Sequence, residues 1–245
     1  MPDLHPLAHG FADVAADYEL GRPDYPQEAV AALGLPAGAR VADVGAGTGK
    51  LTRALVAAGL DVVAVEPLAG MRAALRDVEV LDGTAEALPL ADASLDAVAC
   101  GDAFHWFDGA RAAPELARVI RPGGVLGLLW HGPPDAGDDL PWTAELGRLL
   151  ADARPAHPGF TGDQGREAID ASGAFGPFAR VDVDHVQRSS RATLRASVAS
   201  ISYVAVLAPV DRDALLARVD ALLARHGVEE LDVPLRTTVW IARRL

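Results

Sequence analysis

Short apolar segments alternate with amphipathic segments through the first half of the chain. Apolar residues at helical spacing predict helices over residues 48–58, 68–75 and 111–120. The apolar segments between them read as strands, at residues 40–44, 61–66, 78–83, 95–102 and 123–130. Strands that are apolar on both faces and alternate with helices form parallel sheets through right-handed crossovers. The pattern therefore predicts a doubly wound, mostly parallel α/β sheet with helices on both faces.

A different pattern begins after His131. A loop rich in proline and glycine leads to a predicted helix over residues 141–153 and an irregular stretch over 154–165. Residues 178–188 alternate as a strand does, helices are predicted over 191–207 and 211–225, and residues 236–245 read as a final strand. We expect these two strands to extend the same sheet, with an antiparallel last strand and a helical insertion.

The composition is that of a globular, acidic protein. The chain has 245 residues, 50% of them hydrophobic, which suffices for one large α/β domain. Its 34 acidic and 22 basic residues give a net charge of −12. Proteins that bind nucleic acid normally present a basic surface, so we expect a small-molecule partner and no nucleic acid.

The cysteine count and the apolar runs limit which kinds of site and which location are expected. Cys100 is the single cysteine, and the histidines and carboxylates form no ligand-like cluster, so neither a disulfide nor a metal site is predicted. Residues 1–10 lack the features of a signal peptide, and no run of about 18 apolar residues occurs. We therefore expect a cytoplasmic monomer or homodimer with no membrane partner.

A glycine-rich loop, VADVGAGTGKL at residues 41–51, follows the first predicted strand. Its ligand could be a nucleoside triphosphate, a dinucleotide or a molecule without phosphates. A triphosphate loop requires glycine at the position of Val44 and serine or threonine at that of Leu51. Neither requirement is met, so Lys50 is interpreted as a solvated residue on the first turn of a helix.

The spacing of the glycines disfavours a dinucleotide as well. The pattern G-x-G-x-x-G places a pyrophosphate at a helix N-terminus, but Lys50 stands where the third glycine belongs. Asp43 lies two residues before Gly45, at the end of the strand. A carboxylate at that position favours a ligand that carries positive charge.

Four segments, in this order, resemble the motifs of class I S-adenosylmethionine-dependent methyltransferases. They are the D-x-G-x-G-x-G loop that starts at Asp43, the acidic residue Glu66 that ends the second strand, GTAEALPLADASLDAV at residues 83–98, and FHWFD followed by LARVIRPGGVLGLLW. The resemblance spans Tyr18 to Trp130 and is nearest to the small-molecule branch that includes trans-aconitate and menaquinone-type methyltransferases. It implies a Rossmann-like fold, S-adenosylmethionine as cofactor and S-adenosylhomocysteine as product.

The resemblance also implies a set of cofactor-binding residues. Glu66 would accept hydrogen bonds from the ribose hydroxyls. Many relatives have an aspartate at the position of Thr84, so the adenine contact is expected to shift to the backbone of Ala85 or to Glu86. The full set is Tyr18, Arg22, Asp43, Gly45, Ala46, Gly47, Glu66, Pro67, Met71, Thr84, Ala85, Glu86, Gly101, Asp102 and Trp106.

The segment DYELGRPDYP, which contains Tyr18, Arg22 and Tyr25, resembles a lid over the cofactor. Arg22 would pair with the methionine carboxylate, or it would simply pack in the lid. On this interpretation residues 1–245 form a single domain. The parts are an N-terminal helical lid (1–35), a cofactor-binding core (36–131), a part that binds the acceptor and completes the sheet (132–210), and a last helix and strand (211–245).

Candidates for the chemistry follow the strands at their C-terminal ends, where open α/β sheets bind ligands. His105 is the candidate catalytic residue, as a general base or to orient the acceptor, and the alternative is a structural histidine. Trp106 could contact the sulfonium or form a wall. The candidate acceptor-binding residues are His105, His131, Trp142 and Tyr203, with Phe160 as a further apolar wall.

The sequence thus predicts methyl transfer to a small-molecule acceptor by in-line displacement, driven mainly by positioning. A carboxylate or amine acceptor would need no catalytic base. Two alternatives remain at this point: an NAD(P)-dependent oxidoreductase on a similar sheet, and a non-catalytic protein that binds S-adenosylmethionine.

Overall fold

The computed structural model describes residues 10–11, 13–134, 140, 142–154 and 166–245. Within these residues the strands are β1 (Arg40–Val44), β2 (Asp61–Val65), β3 (Glu79–Leu81), β4 (Leu95–Gly101), β5 (Ile120–Gly132), β6 (Ala179–Ser190) and β7 (Glu230–Arg243). They form one sheet in the order β3-β2-β1-β4-β5-β7-β6. β7 is antiparallel to β5 and β6, whereas the other neighbours are parallel. The predicted fold class is confirmed.

The helices connect the strands and close the open side of the sheet. They are α1 (Ala15–Gly21), α2 (Gln27–Ala31), α3 (Lys50–Ala57), α4 (Ala69–Arg72), α5 (Gly109–Val119), α6 (Thr143–Ala153), α7 (Arg166–Ser172), α8 (Arg191–Ala199), α9 (Ser202–Ala205) and α10 (Pro209–Arg225). α3 begins directly after Gly49, whose φ of +93° suits glycine. Asp108 precedes α5 as its N-cap, and its side chain accepts a hydrogen bond from the Arg111 backbone N–H. None of the helices in the described ranges is long and apolar enough to cross a lipid bilayer.

The sheet is buried on both faces, as parallel sheets are. One face packs against α5 and α7 in a cluster that includes Leu116 and Ile169. The other packs against α2 and α3 and includes Leu55. A separate apolar cluster, which includes Trp142 and Leu223, joins α6, α8 and α10. These last helices therefore form a helical layer with its own core.

The N-terminal helix is fixed to this helical layer. Gly21 of α1 lies so close to α8 that a Cβ atom on it would be 2.1 Å from the backbone nitrogen of Ser197. An ion pair of 2.7 Å joins Asp17 to Arg212 of α10. The predicted lid thus contacts the C-terminal helices directly, although it is far from them in sequence.

Several element boundaries differ from the sequence prediction. β7 starts at Glu230, six residues earlier than predicted, because its long pairing with β6 accommodates Pro234 opposite Val186. The helix predicted over 191–207 is two helices, since Ile201 has an extended backbone with ψ of 132°. β5 begins at Ile120, three residues earlier than predicted, and its register with β4 shifts between Leu95 and Ala97.

Candidate functional site

A cavity of about 540 Å³ lies at the C-terminal ends of the central strands, between the glycine loop, α1 and α9. Its volume falls within the ~300–1,000 Å³ that small-molecule sites occupy. Thirteen of the fifteen predicted cofactor-binding residues line it, namely Tyr18, Arg22, Gly45, Gly47, Glu66, Pro67, Met71, Thr84, Ala85, Glu86, Gly101, Asp102 and Trp106. Asp43 and Ala46 do not line the cavity. Asp43 is fully buried, and Ala46 packs against Ala64 and Leu75.

The glycine loop forms the floor of the cavity. Gly45 and Gly47 have φ values of +74° and +57°, which side chains rarely adopt. A Cβ atom on Gly45 would also lie 2.7 Å from the Cβ of Ala103. Lys50 does not line the cavity, because its ammonium group pairs with Asp24 at 2.9 Å. The loop therefore offers a backbone surface to a ligand rather than a lysine to a phosphate.

Glu66 is held against this loop at the end of β2. Its carboxylate accepts hydrogen bonds from the backbone N–H groups of Gly47 and Leu68, each at 2.9 Å. Burial raises the pKa of Glu66, and these two hydrogen bonds oppose the rise. The carboxylate is thereby oriented at the cavity wall, where its remaining lone pairs can accept hydroxyl donors.

Asp43 is fully buried beneath the loop at the end of β1. One carboxylate oxygen accepts a hydrogen bond of 2.6 Å from the Thr52 hydroxyl, and Oδ1 has no partner among the described residues. Burial raises the pKa of Asp43 to about 7, and the negative charge of Glu66 contributes to the rise. Because Asp43 does not line the cavity, it would act on a positively charged ligand through its charge rather than by direct contact.

Asp102 directly follows β4 and has a left-handed backbone conformation, with φ of +49°. The Tyr25 hydroxyl donates to one of its carboxylate oxygens at 2.9 Å, and the His131 backbone N–H donates to the other at 3.2 Å. Tyr25 is buried, and it lies outside the cavity lining, beneath Asp102. Of the three residues named in the lid segment, Tyr18 and Arg22 line the cavity and Tyr25 does not.

Arg22 and Tyr18 close the cavity from α1 and the residue after it. Arg22 donates from Nε to the hydroxyl of Ser200 at 3.0 Å and from Nη2 to its carbonyl oxygen at 2.8 Å. The pKa of Tyr18 is raised to about 12, mainly by burial, with further contributions from Asp102, Glu66 and Asp43. Arg22 opposes this rise. Three carboxylates and one arginine therefore act on Tyr18 at the cavity wall.

The candidate acceptor residues separate into two groups. His105 and Tyr203 line the cavity, together with Trp106. His131 stacks on Tyr25 at 4.3 Å between ring centroids and bonds through Nδ1 to the Thr237 hydroxyl, outside the lining. Trp142 packs in the helical core of α6 and α10, and Phe160 lies outside the described residues.

The structure adds residues that the sequence interpretation missed. Phe11 contacts both Trp106 and Tyr18 edge-on, with ring centroids 5.5 and 5.7 Å apart. Ile201 and Ser202 line the cavity at the break between α8 and α9. No sequence signal marks Phe11, whereas the two residues next to the predicted Tyr203 could have been included with it.

The segment after β3 forms another wall. Thr84 is buried, and its hydroxyl has no hydrogen-bond partner within the described part of the chain. Glu86 accepts a hydrogen bond of 2.8 Å from the Asp108 backbone N–H, which joins this wall to the start of α5.

Throughout the described residues, no group of three or more His, Cys, Asp or Glu side chains could hold a metal ion.

Comparisons with known sequences give a consistent assignment. A family model described as a methyltransferase domain matches residues 42–128. An uncharacterized methyltransferase of Mycobacterium tuberculosis is 45% identical over 225 residues, which cover 90% of this chain and 88% of that protein. An uncharacterized methyltransferase of Schizosaccharomyces pombe is 36% identical over 157 residues, covering 60% of this chain and 61% of the relative.

Solved structures share the fold. A methyltransferase from Anabaena variabilis, ascribed to an antibiotic biosynthesis pathway, has a TM-score of 0.61 and 25% identity, with 87% of this chain and 95% of that chain covered. Phosphoethanolamine N-methyltransferase 2 of Haemonchus contortus, solved with phosphomonomethylethanolamine and S-adenosylhomocysteine, has a TM-score of 0.55 and 16% identity. That match covers 95% of this chain and 57% of the nematode enzyme, and it concerns the fold alone.

Proposed function

This chain belongs to the class I S-adenosylmethionine-dependent methyltransferases, and from that premise we propose that it methylates a small organic molecule with S-adenosylmethionine as donor. When bound, the cofactor supplies an electrophilic methyl group on a sulfonium. An oxygen, nitrogen or carbon atom of the acceptor forms a bond to the methyl carbon while the carbon–sulfur bond breaks, and the electron pair of that bond stays on sulfur in S-adenosylhomocysteine.

The observation that carries this proposal is the placement of three carboxylates at one end of the sheet. Asp43, Glu66 and Asp102 end β1, β2 and β4 or directly follow them, and all three act electrostatically on Tyr18 at the cavity. A negative field attracts an ammonium and a sulfonium, whereas it would repel the pyrophosphate of a dinucleotide. The charge pattern therefore favours the sulfonium cofactor over NAD.

The residues around the cavity fit the parts of this cofactor. Glu66 would accept the ribose hydroxyls, and the glycine loop would lie under the methionine part. Arg22 has Nε and Nη2 engaged by Ser200, which leaves its remaining donors for the methionine carboxylate. The unpaired Thr84 hydroxyl and the adjoining backbone would border the adenine.

The acceptor end of the cavity is walled by aromatic and apolar side chains. We assign to this end the lining residues Phe11, Trp106, Ile201 and Tyr203, with His105 as a titratable group. Such walls exclude water and hold an acceptor in line with the methyl group, which accounts for most of the rate in a displacement of this kind. His105 would orient the acceptor or remove its proton where the acceptor atom must lose one.

Calorimetric titration tests the cofactor. We expect S-adenosylmethionine and S-adenosylhomocysteine to bind and NAD to give no heat of binding. Binding of NAD without either sulfur compound would refute the proposal. The acceptor is then sought with methyl-labelled S-adenosylmethionine and a panel of small carboxylic acids, phenols and amines, with incorporation of label into an organic product as the readout. Label on none of these compounds would count against the proposed acceptor class.

A further inference from the structure

Tyr25 makes a buried polar contact that the proposed function does not explain. Its hydroxyl donates to Asp102 Oδ2 at 2.9 Å, although the phenol is buried and does not reach the cavity. Burial and the neighbouring Asp102 raise the pKa of Tyr25 well above its ordinary value, so the hydroxyl keeps its proton and remains a donor. Asp102 does line the cavity. Tyr25 therefore adjoins the ligand site through two lining residues, by its hydrogen bond to Asp102 and by its close approach to Gly101.

The geometry at Asp102 makes this contact consequential. Asp102 has φ of +49°, a conformation in which a residue with a side chain needs local support. Each carboxylate oxygen of Asp102 accepts a hydrogen bond: Oδ2 from the Tyr25 hydroxyl and Oδ1 from the His131 backbone N–H. Two donors on opposite oxygens fix the plane of the carboxylate. Loss of either one would let the charge rotate away from its position at the cavity.

The surroundings of Tyr25 are built around this hydroxyl. Its ring stacks on that of His131, which is anchored in turn by Thr237 at 3.0 Å. A Cβ atom on Gly101 would lie 2.5 Å from the Tyr25 hydroxyl oxygen, so the absence of a side chain at this position leaves room for the contact. Both neighbours keep the phenol in the orientation that serves Asp102.

We propose that Tyr25 is a positioning residue for cofactor binding, which acts by holding the Asp102 carboxylate at the cavity wall. This inference rests on the proposed use of S-adenosylmethionine. Tyr25 would thus contribute to the negative field of the cavity without touching the ligand.

The test is calorimetric titration of S-adenosylmethionine into the full chain and its Tyr25→Phe variant. We expect roughly tenfold weaker binding, since a donor to a half-buried carboxylate is lost. Thr143→Val is the control, because it removes a hydroxyl that bonds the Leu140 carbonyl in the helical layer and has no contact with Tyr25, His131 or Asp102. Its affinity should stay within about twofold of the unchanged protein. Equal affinity of Tyr25→Phe and the unchanged protein would overturn the inference.

A double-mutant cycle separates positioning from a general loss of packing. If Tyr25 acts through Asp102, Tyr25→Phe should weaken binding much less in an Asp102→Ala background, which has no acceptor for the phenol, than in the unchanged protein. Fully additive losses would contradict the inference. Absence of binding by the unchanged protein would instead refute the proposed cofactor, so the two failures are distinct.

If the Tyr25→Phe variant does not fold, Gly101→Ala is the alternative variant for the same calorimetric test. The added methyl group must displace the Tyr25 hydroxyl but leaves the phenol in the core. We expect weaker cofactor binding from this variant too, and undiminished affinity would overturn the inference.

Discussion

Gly47 donates its backbone N–H to the Glu66 carboxylate across 2.9 Å, which joins the loop after β1 to the end of β2. Glu66→Ala should weaken binding of S-adenosylmethionine by on the order of 1–3 kcal/mol, because it removes the proposed ribose acceptor and frees the Gly47 N–H. Calorimetry measures the change. Glu79→Ala, which alters an exposed carboxylate on β3, is the control and should leave affinity unchanged. Unaltered affinity in Glu66→Ala would remove this residue from the site.

Asp43 should make the stability of the free protein depend on pH. Its pKa is about 7 in the folded chain against an ordinary value of 3.8, chiefly because of burial, so between these values the folded state holds one more proton than the unfolded state. The free energy of unfolding should therefore fall as pH rises from about 4 to about 7, by on the order of 1 kcal/mol per pH unit. Urea unfolding of the unchanged protein and of Asp43→Asn at several pH values measures this decline. The difference in free energy of unfolding between the two proteins should fall as pH rises. A constant difference between the two proteins would contradict the prediction.

The close approach of α1 to α8 predicts a strong effect of Gly21→Ala. The added methyl group would meet backbone atoms of Ala196 and Ser197, and these cannot move aside as a flexible side chain can. We expect a loss of about 1–3 kcal/mol in the free energy of unfolding. Gly147→Ala in α6 is the control. Its Cβ meets nothing within 4 Å, so that variant should gain about 0.5–1 kcal/mol. Urea unfolding compares the two, and equal stabilities would show that the helix contact tolerates a side chain.

Arg22 should not be replaceable by lysine. Its guanidinium bonds Ser200 from two nitrogens, and lysine cannot reproduce that planar geometry while also presenting a donor to a carboxylate. Arg22→Lys should weaken binding of S-adenosylmethionine by on the order of 1–3 kcal/mol. Arg195→Lys, at an ion pair with Asp220 on the outer side of α8, should have no effect. Equal calorimetric affinities for both variants would argue against a ligand role for Arg22.

His105 should affect turnover more than cofactor affinity. It lines the cavity in the segment that follows β4, beside Trp106. Once an acceptor is identified, His105→Ala should lower kcat about 10²-fold or more if the histidine is a general base, with the cofactor affinity unchanged. Steady-state kinetics alongside calorimetry separate the two quantities. Undiminished turnover would leave His105 a structural role.

The order of elements and the floor of the site could be predicted from local sequence. Continuous apolar strands gave β1 with its observed bounds, and the sequence placed Glu66 at the end of β2. The glycine positions followed from spacing. In contrast, the start of β7 was misjudged because its pairing with β6 overrides local preference, and the break between α8 and α9 was missed because no local pattern marks the extended backbone of Ile201.

The sequence by itself determined the doubly wound sheet and the identity of the residues at its strand ends, because burial on both faces and glycine conformation leave direct patterns along the chain. Only the tertiary structure decided which side chains meet. Arg22 bonds Ser200 and Phe11 contacts Trp106, whereas His131 and Trp142, two candidate acceptor residues, do not line the cavity. These relationships join segments up to 178 residues apart, and they depend on how helices pack rather than on any local pattern.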